Sequence, residues 1–328
     1  MSKTRIICIV GATASGKTGV AVKLAKRLHS EIVSADSMQV YKHMDIGSAK
    51  PTEKEREGIV HHLMDCLEIS ASRYSVSEYK EMASEAIRDI DKRGMIPIVA
   101  GGTGLYINAL TYPLSFAEVE PDEQLRAELK REEEKSPGIL HKMLSECDPV
   151  TAERLHVNDT KRLVRAIEVY RKSGKPLSEH GNDFRNEKQA ETEFEPIMFQ
   201  LTMPREMLYA RIEKRVDEMV DMGLSDEVKR IMQLDDFSED LPSMQGLGYK
   251  QIISHILHGD PKTFEETVEK IKMETRRFAK RQLTWFRRDE RIREVDVTRF
   301  SSADETAEYI EEIVRREYAK TDAGNGAQ

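Results

Sequence analysis

The run IICIVGATASGKTGV, Ile6 to Val20, decides how the rest of this 328-residue chain is read. Five apolar residues, Ile6 to Val10, have the length and β-branched content of a buried strand. Gly11 then opens a turn, and Gly16-Lys17-Thr18 begin an amphipathic helix reaching about Leu28. The spacing Gly-x-x-x-x-Gly-Lys-Thr between strand and helix is that of a phosphate cradle, the P-loop. Gly11, Ala12, Thr13, Ala14, Ser15 and Gly16 supply backbone N–H groups, and the positive end of the helix adds to them. Lys17 brings a full charge to the terminal phosphate, and Thr18 is placed to hold Mg²⁺. The motif asks for a diphosphate or a triphosphate. It does not say which molecule carries it.

Outward from the cradle, strand and helix signals alternate. EIVSAD ends at Asp36, a loop runs from Ser37 to Pro51, a helix is expected from about Ser75 to Lys92, and MIPIVAGGTG follows as a strand. That alternation predicts a P-loop-type α/β fold, a parallel sheet with helices on both faces. Ligands of such sheets bind at the carboxyl ends of the strands. The Gly-Lys-Thr turn, Asp36 and Gly101-Gly102-Thr103 are therefore expected to meet at one site. From about Phe116 the chain becomes charged, helical and poor in strand signals. This predicts a small all-helical insert at 118–190, dividing a core domain into 1–117 and 191–316. After the insert, PIMFQLTM reads as a strand, Arg205 to Met222 as a helix, Thr263 to Arg288 as a long helix, and IREVDV as a last strand before a final helix. The end of the chain, KTDAGNGAQ, has no apolar content, and residues 317–328 are expected to form a structureless tail.

Composition narrows the classes. Charged residues are 34% of the chain, hydrophobic residues 39%, and the net charge is −8, an ordinary globular balance that argues against indiscriminate nucleic-acid coating. No apolar run is long enough to span a membrane, and no secretory leader is seen. Three scattered cysteines point to reduced thiols in the cytoplasm, and no Cys/His grouping has zinc spacing. Nothing suggests a large apolar interface, so a monomer is expected.

Asp36 ends its strand without the switch-like or guanine-reading elements of a nucleotide triphosphatase. It reads as a base facing an acceptor, with a helix cap or an outer-sphere magnesium contact as the plainer alternative. A P-loop small-molecule kinase fits these residues as well, as does an RNA-binding adaptor with a vestigial nucleotide site.

GATASGKT, SADSMQVYKHMDIGSAKP, HHLMD, YSVSEY, IPIVAGGTGLY, RLHVNDTKRLVRAIEVYRKSGKPLSEH, MQGLGYKQI and RRFAKRQLTWFRR occur in this order between Gly11 and Arg288. Together they resemble the blocks of the bacterial tRNA dimethylallyltransferase (tRNA isopentenyltransferase) family. One small departure is Ala12, where many members have proline. The resemblance implies that the cradle holds dimethylallyl diphosphate and that the allyl group passes to the N6 amine of the adenine 3′ of the anticodon, in tRNAs reading codons that begin with U. It implies Asp36 as the base and Thr103 beside the reacting groups, where capping the next helix is the alternative. Arg215 is matched to a donor-diphosphate ligand; Arg211, one turn earlier, is easily confused with it.

Ser37, Met38 and Gln39 are matched to contacts with a flipped adenine, as are Asp36 and Thr103. Arg126, Lys161, Arg162 and Arg165, with the intervening Leu163 and Val164, are matched to contacts with the anticodon stem. Gly246 and Gly248 offer close backbone approach to tRNA. Arg277, Lys280, Arg281 and Arg288 form a basic stripe facing RNA phosphate. The single tryptophan, Trp285, is expected to pack in the core. A relative that prenylates free AMP or ATP shares the cradle and the aspartate, but has no need of a basic helical insert.

Overall fold

The computed structural model describes residues 3–71, 73–114, 119–180 and 192–325. The chain forms two compact units, one of Met1–Thr111 with Thr192–Gln328 and one of Tyr112–Glu191. The boundaries expected near 118 and 190 fall beside or within segments outside the described residues, 115–118 and 181–191.

The larger unit begins β1 (Thr4–Gly11), α1 (Lys17–Leu28), β2 (Ile32–Ser34), α2 (Glu53–Arg56), β3 (His61–His62), α3 (Val76–Lys92), β4 (Ile98–Gly101) and α4 (Gly104–Thr111). The smaller unit holds α5 (Glu123–Lys135), α6 (Ile139–Cys147), α7 (Pro149–Arg154) and α8 (Thr160–Ser173). The larger unit then resumes with β5 (Phe194–Thr202), α9 (Arg205–Asp221), α10 (Leu224–Met232), α11 (Tyr249–His258), α12 (Phe264–Phe286), β6 (Ile292–Asp296) and α13 (Ala303–Asn325). The six strands pair in parallel in the order β3-β2-β4-β1-β5-β6. Among them β3, two residues on the sheet edge, has no sequence signal of its own.

Strand pleating explains how one short apolar run supports both layers. Ile6, Cys8 and Val10 point into a core closed by α3 and α4, with Tyr79, Ile87 and Ile107 fully packed there. Ile7 and Ile9 point to the other face, against Val20, Leu24 and Ala25 of α1 and Ile310 and Val314 of α13. A third cluster joins Val40, Tyr41 and Met44 of the loop after β2 to Leu224, Val228, Tyr249, Ile252 and Ile271 of α10, α11 and α12. The smaller unit has its own core around Leu129, Leu140, Leu144, Leu163 and Ile167.

Helix starts follow the sequence closely. Ser75 caps α3 and Thr263 caps α12, each in a reciprocal capping box with Glu78 or Glu266. The end of the chain departs from expectation: the backbone of α13 stays helical through Asn325, where a structureless tail is read from 317 onward. Tyr318, buried with Ile310 and Val314, anchors the start of that stretch, and extending a helix already so held costs little per residue. Residues 326–328 lie outside the described ones. Among the described residues no helix is long and apolar enough to cross a membrane.

Candidate active site

Parallel register sets the site. Val10 pairs with Gly101, and Ser34 with Ala100, so β1, β2 and β4 end level. Their continuations are the cradle, Asp36 and the Gly101–Thr103 turn. Beyond the ladder, the Ala35 N–H donates to Ala100 O and the Thr103 N–H to Ala35 O. Gly101 is obligatory there, because a Cβ would sit 2.1 Å from the Ala35 carbonyl oxygen.

An open cleft of about 650 Å³, counted to its mouth, lies at these strand ends. Thr13, Lys17, Thr18, Asp36, Gln39 and Arg215 line it, together with His61, Met64, Phe278 and Gln282. The cradle has the geometry of an anion nest: Ala14 and Gly16 lie at positive φ (62° and 91°), and no acidic residue occupies the first turn of α1. Lys17 Nζ donates to Ala12 O at 2.7 Å. Burial pushes the Lys17 ammonium down to about 8, with Asp36 acting against the shift and Arg215 with it. Burial likewise lowers the half-buried Arg215 guanidinium. Among the described residues neither cation has an ion-pair partner within 4.0 Å. Two partly desolvated positive charges and a set of turn amides thus face one cleft, an arrangement that stores electrostatic cost until an anion arrives.

Arg211, one turn before Arg215, is exposed, and its Nη1 lies 4.0 Å from where a Gly16 Cβ would stand. It flanks the cradle from outside, whereas Arg215 lines the cleft.

Asp36 does two things at once. Its Oδ1 accepts from the N–H groups of Met38 (2.9 Å) and Gln39 (3.4 Å), the turn-capping role foreseen as the plainer alternative. Among the described residues no hydrogen bond engages Oδ2, and the side chain lines the cleft. Thr103 does not cap α4 with its hydroxyl. Its Oγ1 accepts from the Ser37 N–H at 3.1 Å and lies 3.4 Å from Ser37 Oγ, tying the β4 turn to the residue after Asp36. Gln39 also lines the cleft, its Nε2 donating to Ser48 O and Ala49 O. Met38 packs inward, with its methyl 2.7 Å from a Cβ built on Gly246. Gly246 and Gly248 therefore have internal reasons to be glycine: close approach of Met38 and Tyr249 for the first, a φ of 90° opening α11 for the second.

The helical unit sorts its candidates differently from the sequence reading. Leu163 and Val164 are 0% and 3% exposed and belong to that unit's core, so their side chains do not form a surface for RNA. The 3.6-residue period turns them inward while Lys161 and Arg162 stay exposed. Arg126 and Arg165 are committed to the fully buried Glu168, at 2.8 Å and 2.6 Å. Burial opposes ionisation of Glu168, yet bonds from Arg126, the Asp122 amide and Arg165 outweigh it and hold its carboxyl below the usual range. The two arginines thus stabilise the unit from within.

Along α12 and the turn that follows it, the expected basic residues are present: Arg277, Lys280 and Arg281 on the helix and Arg288 just beyond its end are all exposed. Among the described residues, none of them pairs with a carboxylate. Trp285 packs on the core, its Cδ1 2.2 Å from a Cβ placed on Gly104.

Two anchoring residues escape sequence reasoning. Gln282 lies on the buried face of α12 and bonds both the cradle turn and the Gly101–Thr103 turn; a polar residue inside the apolar period is the signal that marks it. Glu227 of α10 has no such signal, because it reads as one more charge on an amphipathic helix. Its buried carboxylate accepts from the N–H groups of Asp45 (3.0 Å), Ile46 (2.8 Å) and Gly47 (3.1 Å) and from the Tyr249 hydroxyl (2.6 Å). Burial first, then the Glu227 charge, raise the Tyr249 phenol far above its ordinary value, so it remains a donor. This clamp fixes the loop that follows Asp36. Glu227→Gln turns an NH₂ group toward two of the four donors, at a cost of about 2–4 kcal/mol. A lower thermal midpoint and a weakened acceptor KM are the expected results, measured by calorimetry and steady-state kinetics.

The description "IPP transferase" belongs to the family model that matches residues 39–289. The chain is 46% identical over 308 residues to a tRNA dimethylallyltransferase of Pelotomaculum thermopropionicum, covering 94% of this chain and 96% of that one. It is 44% identical over 306 residues to the enzyme of the same name from Clostridioides difficile, covering 93% and 96%. Among solved structures, a tRNA isopentenylpyrophosphate transferase from Bacillus halodurans superposes with a TM-score of 0.72 at 37% identity, over 98% of this chain and 100% of that one. A eukaryotic dimethylallyltransferase acting on tRNA gives 0.80 at 30% identity, over 97% and 80%.

Proposed function

The chain belongs to the IPP transferase family, and from that membership we propose that it transfers the dimethylallyl group of dimethylallyl diphosphate to the N6 amine of the adenine 3′-adjacent to the anticodon in cytoplasmic tRNAs reading codons that begin with U. The observation that carries this reading is the pair Lys17 and Arg215, two partly desolvated cations without ion-pair partners among the described residues, facing a cleft that also holds Asp36. That arrangement supports an anionic leaving group held opposite a base.

The diphosphate sits on the cradle amides between Gly11 and Thr18, apart from the Thr13 N–H, which Gln282 already occupies, and on Lys17 and Arg215. As the allylic C–O bond lengthens, negative charge grows on the leaving oxygen, and these fixed donors stabilise it more than they stabilise the ground state. The acceptor amine is weakly nucleophilic because its lone pair is delocalised into the ring. Asp36 takes its proton as the new C–N bond forms. Gln39, Ser37 and Thr103 border the place where the extruded base enters.

Thr18 offers one hydroxyl at the cradle, and among the described residues no group of three or more His, Cys, Asp or Glu side chains could hold a metal alone. This donor set fits Mg²⁺, which keeps waters and completes its shell with phosphate oxygens. When bound, the ion supplies further charge neutralisation for the departing diphosphate.

Exposed Lys161 and Arg162 on the helical unit, Arg277, Lys280 and Arg281 on α12 and Arg288 in the turn after it bind RNA phosphates. Incubation with labelled dimethylallyl diphosphate and either tRNA or AMP tests the reading directly. Label is expected in tRNA, at the adenine beside the anticodon. Label in AMP alone, or phosphoryl transfer from ATP to a small molecule, would overturn it.

A further inference from the structure

We propose that Gln282 is a positioning residue that holds the phosphate cradle and the Gly101–Thr103 turn in register, and so fixes the distance between donor and base. This rests on the functional reading above and goes beyond it, because it assigns a task to a side chain that contacts neither reacting atom.

The sheet itself cannot do this job. The β1–β4 ladder ends at Val10 and Gly101, and past that point the two chains diverge into separate turns. Gln282 lies across the gap. Its Oε1 accepts from the Thr13 N–H at 2.9 Å, in the cradle, and its Nε2 donates to Gly102 O at 3.0 Å, in the β4 turn. The side chain is only 8% exposed, so neither bond competes with bulk water. A Cβ on Gly102 would stand 2.3 Å from that Nε2, so the turn has no side chain where the amide reaches it.

A carboxamide satisfies both ends, its oxygen serving the donor and its NH₂ group the acceptor. A glutamate would serve Thr13 and repel the Gly102 carbonyl. The linkage continues: Thr103, next to Gly102, holds Ser37, which follows Asp36. Thus the cradle is connected to the residue beside Asp36 through three hydrogen bonds, two of them made by the Gln282 amide. Gln282 also withholds the Thr13 N–H from the ligand, leaving the remaining cradle amides to the diphosphate.

The consequence is kinetic. Each substrate keeps most of its own contacts when Gln282 is lost, but the two halves of the site slip against each other. A misplacement of about 1 Å at the reacting centre costs on the order of 10²-fold in rate.

The test uses Gln282→Met, close in volume and unable to bond either turn, and Gln282→Glu, which keeps the Thr13 contact alone. In Gln282→Met, single-turnover prenyl transfer at saturating donor and tRNA should fall about 30–100-fold, with both KM values within about threefold of wild type. Hydrogen exchange at the Thr13 amide should accelerate in Gln282→Met and stay slow in Gln282→Glu, while Gln282→Glu still loses rate. A Gln282→Met rate within twofold of wild type overturns the proposal. So does a loss that appears wholly in donor KM, which would make Gln282 a part of the anion cradle only. If Gln282→Met does not fold, the Gln282→Glu rate decides: full activity overturns, loss with Thr13 still protected supports. If wild-type protein prenylates no tRNA, the functional reading fails by itself, and Thr13 exchange still reports whether the bridge exists.

Discussion

Asp36→Asn lowers the rate of allyl transfer by roughly 10²–10⁴-fold while leaving donor affinity within about threefold of wild type. The substitution is chosen by the geometry. Oδ1 caps the Met38 and Gln39 amides, and an asparagine oxygen can go on accepting both. The loop after β2 therefore keeps its course, held also by Glu227 at Asp45–Gly47 and by the Lys50 ammonium, which donates to Tyr41 O at 2.6 Å and pairs with Asp45 at 2.9 Å. What changes is the atom facing the cleft, where a basic oxygen becomes an NH₂ group. Single-turnover transfer and isothermal donor binding, measured on the same preparation, separate the two roles. A variant with near-normal transfer would remove Asp36 from the chemistry and leave it a turn-forming residue. Asp36→Ala should be worse on both counts, because it also frees two amides.

Lys17→Met should abolish productive donor binding, with affinity falling by about 10²–10³-fold, yet the ligand-free protein should be no less stable. The affinity loss follows from removing one side of a partly buried ion pair, worth about 3–5 kcal/mol. The stability claim follows from linkage. In the folded, ligand-free protein burial lowers the Lys17 ammonium from 10.5 to about 8. Between those two values the unfolded chain binds more protons, so the lysine's contribution to stability rises with pH across that window and is at its least favourable below pH 8. At pH 7 the charge is a burden, and methionine, of similar reach, removes it without opening a cavity. Thermal unfolding in metal-free buffer should give an unchanged or higher midpoint, and calorimetry should give no measurable donor binding. A markedly lower midpoint would mean that Lys17 holds the cradle together through its bond to Ala12 O.

Much of the site can be read in the chain because it is written in local geometry. A strand that must stop, a turn needing positive φ at Gly16, and a helix whose first turn avoids acids are consequences of a few adjacent residues, so IICIVGATASGKTGV carries them whole. Asp36 and Gly101–Thr103 are found by the same logic, since parallel strands bring their carboxyl ends level. The RNA-facing candidates on the helical unit are less well served. Arg126 and Arg165 look like free charges until Glu168 is seen buried between them, and Leu163 and Val164 belong to a core that only the assembled helices define.

By itself, then, the sequence determined the doubly flanked parallel sheet, the glycine-rich turn that opens α1 and the strand-end aspartate, because each depends on backbone periodicity and turn chemistry within a dozen residues. Only the tertiary structure decided which charges are spoken for and which side chains tie distant turns together. Gln282 meets Thr13 across 269 positions of chain, and Glu227 meets Asp45 across 182. Hydrogen bonds at such separations exist only after the layers have packed, and no local pattern can announce them.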